Sequence, residues 1–437
     1  MNLSTIGQVF RTPSLRRRVL VVIGLLIVFR FLSHVPVPVP DNAALANFLR
    51  TIFNSNKVLG FADLFSGGAL TNFSMIMMGV GPYINASIIV QLLTQAIPQL
   101  EALNKEGDSG RRKLNQYTRI LTLPLALIQS FGMVLLVQQT SKQITGLDLI
   151  GHPNTLQWLL MVSTITAGTI LLMWIGEIIT EQGVGNGISL IIFAGIVSRL
   201  PSSLGQFLAL ASGDTTKILT LVAFVAATVG IIAFVVILNE GQRNIPVSYA
   251  KRAQENRIYA GVDTHLPIRV ITAGVIPIIF ALAFLSVPAL FGQLLSNAHT
   301  HWVASFAKEL TALFSPTGAV YGVSYFLLVV AFTFFYTSVV FNVKDISENL
   351  QKQGGFIPGI RPGNQTASYL KRVVNRITLA GAIGLGLIAV LPFIAEIFTK
   401  SQTLTFGGTS LLIVVSVAIE SMKQLEAQVI TTSYEQY

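Results

Sequence analysis

Cysteine is absent from this 437-residue chain, which excludes disulfides, thiolate catalysis and cysteine-held metals and leaves the redox compartment open. Charge is scarce as well: Asp, Glu, Lys and Arg make up 11% of the residues, where a soluble domain carries roughly 25%. The five histidines, His34, His152, His265, His299 and His301, fall in loops or at the ends of apolar runs. His299 and His301 have no carboxylate beside them and read as solvated polar residues, so no metal is expected. No Ser–His–Asp arrangement, phosphate-cradling glycine loop or intramembrane aspartate pair appears. An enzyme is therefore not expected, nor a cofactor. A proton-coupled transporter needs ionisable groups inside its spans, and here Arg30, Glu396 and Glu420 lie only near span ends.

What the chain has in quantity is apolar sequence, 52% of its residues, with a mean hydropathy of +0.66. Charge-free runs recur at Val19–Phe29, Leu121–Val137, Leu156–Ile175, Ile218–Leu238, Val270–Phe291, Tyr321–Phe341, Ile377–Phe393 and Leu404–Ile419. Most approach the ~20 residues that cross a hydrocarbon core. Met75–Leu93 and the shorter Gly187–Val197 bring the count to ten spans. Residues 1–35 do not read as a cleaved signal peptide: Arg30 interrupts the apolar stretch, and Val35-Pro36-Val37-Pro38-Val39-Pro40 follows it in place of a small-residue cleavage site. Leu3, Ile6, Val9 and Phe10 recur at helical spacing, which fits a short helix in the inner interface or an ordinary frayed terminus.

The net charge of +10 is concentrated in alternate loops. Basic residues cluster before span 1 (Arg11, Arg16, Arg17, Arg18), after span 2 (Lys105, Arg111, Arg112, Lys113), after span 6 (Arg243, Lys251, Arg252, Arg257) and after span 8 (Lys344, Lys352, Arg361, Lys371). By the positive-inside rule these loops and both termini are cytoplasmic. The polar stretch Pro201–Lys217 divides the chain into residues 1–201 and 218–437, five spans each, with residues 202–217 as an external hinge. An odd number of spans inverts the second half relative to the first, a topology common in transport proteins.

Two cytoplasmic loops, about residues 239–268 and 342–372, are too long to be simple connectors. The first contains the β-like runs Ile245–Tyr249 and Arg257–Val262 around Gln254-Glu255-Asn256, which predicts a hairpin. The second contains Gly354-Gly355-Phe356-Ile357-Pro358-Gly359-Ile360-Arg361-Pro362-Gly363, which predicts a fixed turn with Arg361 at its tip. The orientation rule alone accounts for most of these basic residues. Arg243 and Arg361 are expected to do more, because long, shaped basic loops suit an acidic partner.

One membrane segment is broken. Phe65-Ser66-Gly67-Gly68-Ala69-Leu70-Thr71-Asn72-Phe73 is too short to cross a bilayer and precedes the full run Ser74 to Leu93. It must fold back into protein or into a cavity that protein makes. Aliphatic residues also sit beside helix breakers at Val80-Gly81-Pro82-Tyr83-Ile84, Gly185–Ile192, Gly274–Ile279 and Gly407–Ile413. Converging at a constriction, they would exclude water and ions by dewetting; taken singly, each run is also explained by lipid contact or core filling.

The segments Phe65–Leu70, Pro82-Tyr83-Ile84-Asn85-Ala86-Ser87-Ile88-Ile89, Gly185-Asn186-Gly187-Ile188-Ser189, Thr264-His265-Leu266-Pro267, Asp345–Leu350, Pro358–Gly363 and Phe406–Ile413 resemble, in order, the SecY family of bacterial preprotein translocase channel subunits. The resemblance implies an all-α polytopic membrane protein, with ten transmembrane helices in two inverted five-helix halves around a central pore. It implies a re-entrant plug over about residues 61–73, including Asp63, Leu64, Phe65, Gly67, Gly68 and Leu70. It implies a pore ring of Val80, Ile84, Ile188, Ile192, Ile279 and Ile413, where Val80 is a small departure from a ring that is mostly isoleucine. Spans 2 and 3 would open against spans 7 and 8 as a lateral gate, with Asn85, Gln91 and Gln129 at the seam. Arg243 and Arg361 match residues that dock the SecA motor or the ribosome, and SecE and SecG are implied as partner subunits. The expected substrates are signal peptides and unfolded preproteins, the lateral destination is membrane lipid, and no nucleic acid is a substrate. The expected location is the bacterial plasma (inner) membrane. A small-solute secondary transporter and a structural membrane scaffold are the competing classes; the first lacks a visible polar pocket, and the second leaves the broken segment unexplained.

Overall fold

The apolar runs fold as helices, since in hydrocarbon each backbone N–H and C=O has to be bonded within its own segment. The computed structural model describes residues 11–39, 44–49, 63, 66–145, 150–151, 153–201, 205, 215–249, 253–254, 257–258, 263–272, 274–295, 301–314, 319–399 and 405–435. The expected helix at residues 3–10, Leu64 and Phe65 of the expected plug, His152, His299, the turn residues 255–256 and most of the expected hinge 202–217 lie outside these.

In the first part of the chain the helices are α1 (Pro13–Leu32), α2 (Gly81–Ala96), α3 (Pro98–Lys105), α4 (Asp108–Thr145), α5 (Thr155–Glu181), α6 (Gly187–Val197) and α7 (Thr215–Glu240). Beyond it lie α8 (Ile276–Leu295), α9 (His301–Leu313), α10 (Ala319–Val340), α11 (Val343–Lys352), α12 (Asn364–Thr399) and α13 (Thr405–Glu435). Each expected span overlaps one of these helices. Among the described residues, four helical stretches are long and apolar enough to cross a membrane: Asp108–Lys142, Thr155–Glu181, Val320–Lys352 and Asn364–Leu391. Large aliphatics stand outward on several helices, with Ile128 62% and Ile237 67% exposed, as a hydrocarbon solvent permits.

The second span is shorter as a helix than its apolar run. Residues 66–80 form consecutive turns, and α2 begins only at Gly81. Phe73 (φ 45°) and Gly79 (φ 56°) adopt left-handed backbone that a continuing helix excludes, and Pro82 then fits the first turn of α2. The helix α9 has no counterpart in the sequence reading; it is short and leaves Trp302 stacked on Phe306 with ring centroids 6.3 Å apart.

The chain forms two compact units. The first comprises Met1–Ala223, Leu282–Tyr321 and Val417–Tyr437, and the second Phe224–Ala281 and Gly322–Ser416. In the first unit a core of Val37, Leu70, Phe73, Met77, Val134 and Ile165 surrounds the turn-rich segment. The end of α13 packs on α1 through Leu15 and Val429, and Gln428 donates to the Gly183 carbonyl at 2.8 Å. Gly168 of α5 lies against the 66–80 segment so closely that a Cβ there would stand 2.0 Å from the Met75 carbonyl oxygen. Gly168→Ala is therefore expected to cost about 1–3 kcal/mol, the usual penalty of overpacking. Its unfolding midpoint in detergent should fall, while Gly24→Ala, with nothing within 4 Å, should hold the parental value.

In the second unit, β1 (Gln242–Tyr249) pairs antiparallel with β4 (Asp263–Arg269), with Ile245 opposite Leu266 and Arg243 opposite Ile268. The hairpin is present, but its return strand is not Arg257–Val262. There, β3 (Arg257–Ile258) pairs locally with β2 (Ala253–Gln254). The longer ladder buries Ile245, Val247 and Ile268, the inward set that a period of two requires. β5 (Gly355–Phe356) joins the free edge of β1, giving the order β4-β1-β5. Ile357, Leu370, Val373 and Val374 complete the same core, so the two long loops make one folded body.

Candidate functional site

The broken segment is held by its own polar groups. Asp63 is 1% exposed. Its carboxylate accepts from the Thr71 backbone N–H at 3.0 Å and from the Ser66 hydroxyl at 3.4 Å, and it is ion-paired with Arg199. The Ser66 hydroxyl in turn accepts from the Leu70 N–H at 3.2 Å. Arg30, in the last turn of α1, donates to the Gly67 carbonyl at 2.6 Å. Gly67 and Gly68 have φ of 66° and 89°, and a Cβ on Gly67 would lie 3.0 Å from the Gly195 Cα. The glycine pair thus allows the chain both to turn and to approach α6. Downstream the segment is tied to the stretch that follows α1, Val37 N–H to Phe73 carbonyl and Met75 N–H to Val35 carbonyl, both 2.9 Å. Leu70 is buried in the surrounding core. Arg30 and Arg199 were not anticipated as contacts of this segment.

The ring candidates of the first unit are Val80, 1% exposed at the N-cap of α2, Ile84 at 7%, Ile192 at 0% and the half-buried Ile188. In the second unit Ile279 is 5% exposed and Ile413 2%. Five of the six are buried and Ile188 is half-buried, whereas Ile128 and Ile237 stand exposed. The α6 motif is explained locally. Asn186 caps the helix by accepting from Ile188 N–H (3.1 Å) and Ser189 N–H (3.2 Å). Thr180 bridges the turn, accepting from Gly187 N–H at 2.9 Å and donating to the Gly176 carbonyl at 2.8 Å. A Cβ on Gly187 would fall 1.8 Å from that carbonyl oxygen, so only glycine lets α6 fold back against α5.

Two gate candidates share a cavity. About 350 Å³ of space within the first unit is lined by Asn85 and Ile88 of α2, Gln129 and Met133 of α4, and Phe284 and Pro288 of α8. Its walls are almost wholly apolar. Gln91 does not line it and instead donates to Ser87 one turn back at 3.1 Å.

Arg243 stands exposed on β1. Arg361 is exposed on a loop whose shape is set by Gly359 (φ 82°) and Gly363 (φ 96°). Thr366 donates to the Arg361 carbonyl at 2.9 Å and Ser347 to the Gly363 carbonyl at 2.8 Å. The backbone holds this tip, and the guanidinium projects from it.

Residues 74–422 match the family model described as SecY. The protein translocase subunit SecY of Streptomyces galbus is 41% identical over 441 residues, covering 99% of each chain. That of Corynebacterium glutamicum is 42% identical over 444 residues, again covering 99% of both. Among solved structures, one described as a protein conducting channel aligns with a TM-score of 0.63 at 20% identity, covering 93% of this chain and 90% of that one. A SecY structure whose plug domain stabilises the closed state aligns at 0.62 and 20%, covering 92% and 89%. Sec61 in a canine ribosome-channel complex aligns at 0.60 and 19%, covering 93% and 90%. These neighbours share the ten-helix channel fold. The chain is accordingly a multi-pass, non-enzymatic membrane protein, and it belongs to the SecY family of protein translocase channel subunits.

Proposed function

We propose that this chain passes unfolded preproteins across the bacterial plasma membrane and releases hydrophobic segments sideways into lipid, sealed at rest by a ring and a plug. The observation that carries the reading is the burial of Val80, Ile84, Ile192, Ile279 and Ile413 on helices that present other large aliphatics to lipid. In this reading residues 1–201 and 218–437 are inverted halves joined by the outer hinge 202–217, and residues 61–73 close the outer funnel. Both termini and the loops at 239–268 and 342–372 face the cytoplasm.

The physical logic needs no binding specificity. Preprotein side chains vary, so a selective polar site would be a handicap. Flexible apolar side chains fit around any chain and expel water when the pore is empty. At the gate, each central Leu or Ile favours lipid by about 0.3–0.6 kcal/mol and each central Lys or Arg opposes it by about 2.5–3.5 kcal/mol. Ten apolar residues therefore favour lipid by roughly 3–6 kcal/mol, and one charge cancels much of that. The apolar cavity carrying Asn85 and Gln129 supports a gate between spans 2, 3 and 7; Gln91 fits that seam less well.

Net movement needs energy from a partner. We assign Arg243 and Arg361 to docking of the SecA motor or the ribosome, a reading supported by the ribosome-bound Sec61 neighbour. SecE would clamp the halves, and SecG would complete the complex. Reconstitution tests the whole reading. Vesicles containing the chain with its partner subunits should make an unfolded secretory precursor protease-resistant in the presence of SecA and ATP. A solute transporter would leave the precursor digestible and take up a small molecule saturably.

A further inference from the structure

We propose that Arg199 and Arg30 form a two-point latch that holds the plug in its seat and sets how readily the channel opens. The proposal rests on the reading of residues 61–73 as the plug. Arg199 follows α6, with its N–H bonded to the Ile196 carbonyl at 3.1 Å. Its guanidinium pairs with the Asp63 carboxylate and donates to the Thr71 hydroxyl at 3.2 Å. One cation therefore ties together both ends of the turn that contains Gly67 and Gly68. On the other side, Arg30 of α1 grips the Gly67 carbonyl. The two glycines make this possible: a Cβ on Gly67 would meet Phe29 at 3.0 Å, and one on Gly68 would meet the Arg199 Nε at 3.3 Å.

The chemistry suits a seal that has to open. A carboxylate taken out of water recovers its desolvation cost only while its partner and hydrogen bonds are in place, so a buried pair adds little net stability. Displacing the plug rehydrates Asp63, and the pair separates without a large penalty. Removing one partner alone has the opposite consequence for the seat. Without Arg199 the buried Asp63 carboxylate is stranded, and without Asp63 the partly exposed Arg199 loses its hold on the segment, so in either case the hydrated, unseated plug gains population. Ile188 and Ile192 lie on α6, the helix that leads into Arg199. A polypeptide that pushes those side chains aside moves α6 and draws Arg199 off Asp63, so dilation of the ring releases the plug.

The lack of native cysteine gives a clean readout. Ala69 is fully buried in the segment. In Ala69→Cys channels assembled with their partner subunits, the rate of labelling by a membrane-impermeant maleimide from the outer side reports unseating. Resting Ala69→Cys should label slowly, and Arg199→Gln or Asp63→Asn in that background should label about tenfold faster or more, a smaller shift than loss of a fully buried pair gives because Arg199 is partly exposed. The double variant should label no faster than the faster single one, because the two residues act as a pair. Arg199→Lys, which keeps the charge, should stay near the resting rate, and Asp63→Asn answers the question by itself if Arg199→Gln fails to accumulate. Unchanged labelling in Arg199→Gln and Asp63→Asn, or additive effects in the double variant, would overturn the latch. A stalled preprotein separates the two failures. If it accelerates labelling of the parent while Arg199→Gln does not, only the latch is wrong. If it leaves the parent at the resting rate, residues 61–73 are not a plug, and the latch falls with that reading.

Discussion

Ile192→Asn is expected to turn a sealed channel into a leaky one. Ile192 has no exposed surface, so the amide cannot reach bulk water from where the isoleucine sits. An unbonded buried amide costs about 1–3 kcal/mol, and the channel recovers that only by admitting water to the constriction. Dewetting then fails, because the barrier depends on an unbroken apolar lining. On that scale the conducting population rises roughly five- to a hundred-and-fiftyfold. Ile413→Asn should act alike, since Ile413 is buried on α13. Both variants should also accept preproteins with weaker signal sequences, because less work is then needed to open the ring. Resting conductance of purified channels in planar bilayers is the measurement, and Ile237→Asn, at a lipid-exposed position, is the control that should stay silent. Parental conductance in both ring variants would rule out the ring assignment.

Arg361→Glu should abolish motor-driven translocation while the protein itself still accumulates in the membrane. The tip is shaped by Gly359 and Gly363 and by hydrogen bonds to backbone carbonyls, so the substitution leaves the fold of the loop alone. What changes is the charge offered to the partner. An interface arginine of the dominant kind carries about 2 kcal/mol or more, and reversing its sign adds repulsion to that loss. SecA binding to inverted vesicles should weaken about thirtyfold or more, and precursor protection should fall with it. Lys352→Glu, on the exposed end of α11, serves as the comparison. The expected membrane orientation is enough to explain its charge, and binding should change little. Intact binding and transport in Arg361→Glu would remove this residue from the docking surface.

The spans were legible because a charge-free run of that length has few other fates. The broken segment was legible because Ser66-Gly67-Gly68 interrupts an apolar stretch just ahead of another. The return strand of the hairpin was misplaced for a specific reason: Ile258, Tyr259 and Val262 look as β-like as Leu266 and Ile268, and only the core built by Ile357 and Val374, far along the chain, selects the latter. The union of the two long loops depends on the same distant contacts. The Arg199–Asp63 pair joins residues 136 positions apart, and no local pattern records it. A clue was present nonetheless. Asp63 stands alone among apolar neighbours, and an acid in such a place requires a cation or a polar cage. The late start of α2 was hidden because Gly79 is one small residue inside a run that otherwise reads as continuous helix.

The most direct test asks what a preprotein touches in transit. A photocrosslinker would be placed in turn at Ile84, Ile192, Ile279 and Ile413, and at the lipid-exposed positions Ile128 and Ile237, with a secretory precursor stalled halfway through the assembled channel. The account predicts adducts to the precursor from all four ring positions and none above background from the two outward ones. Adducts from Ile128 or Ile237, or from the ring positions of one unit only, would contradict a shared apolar constriction.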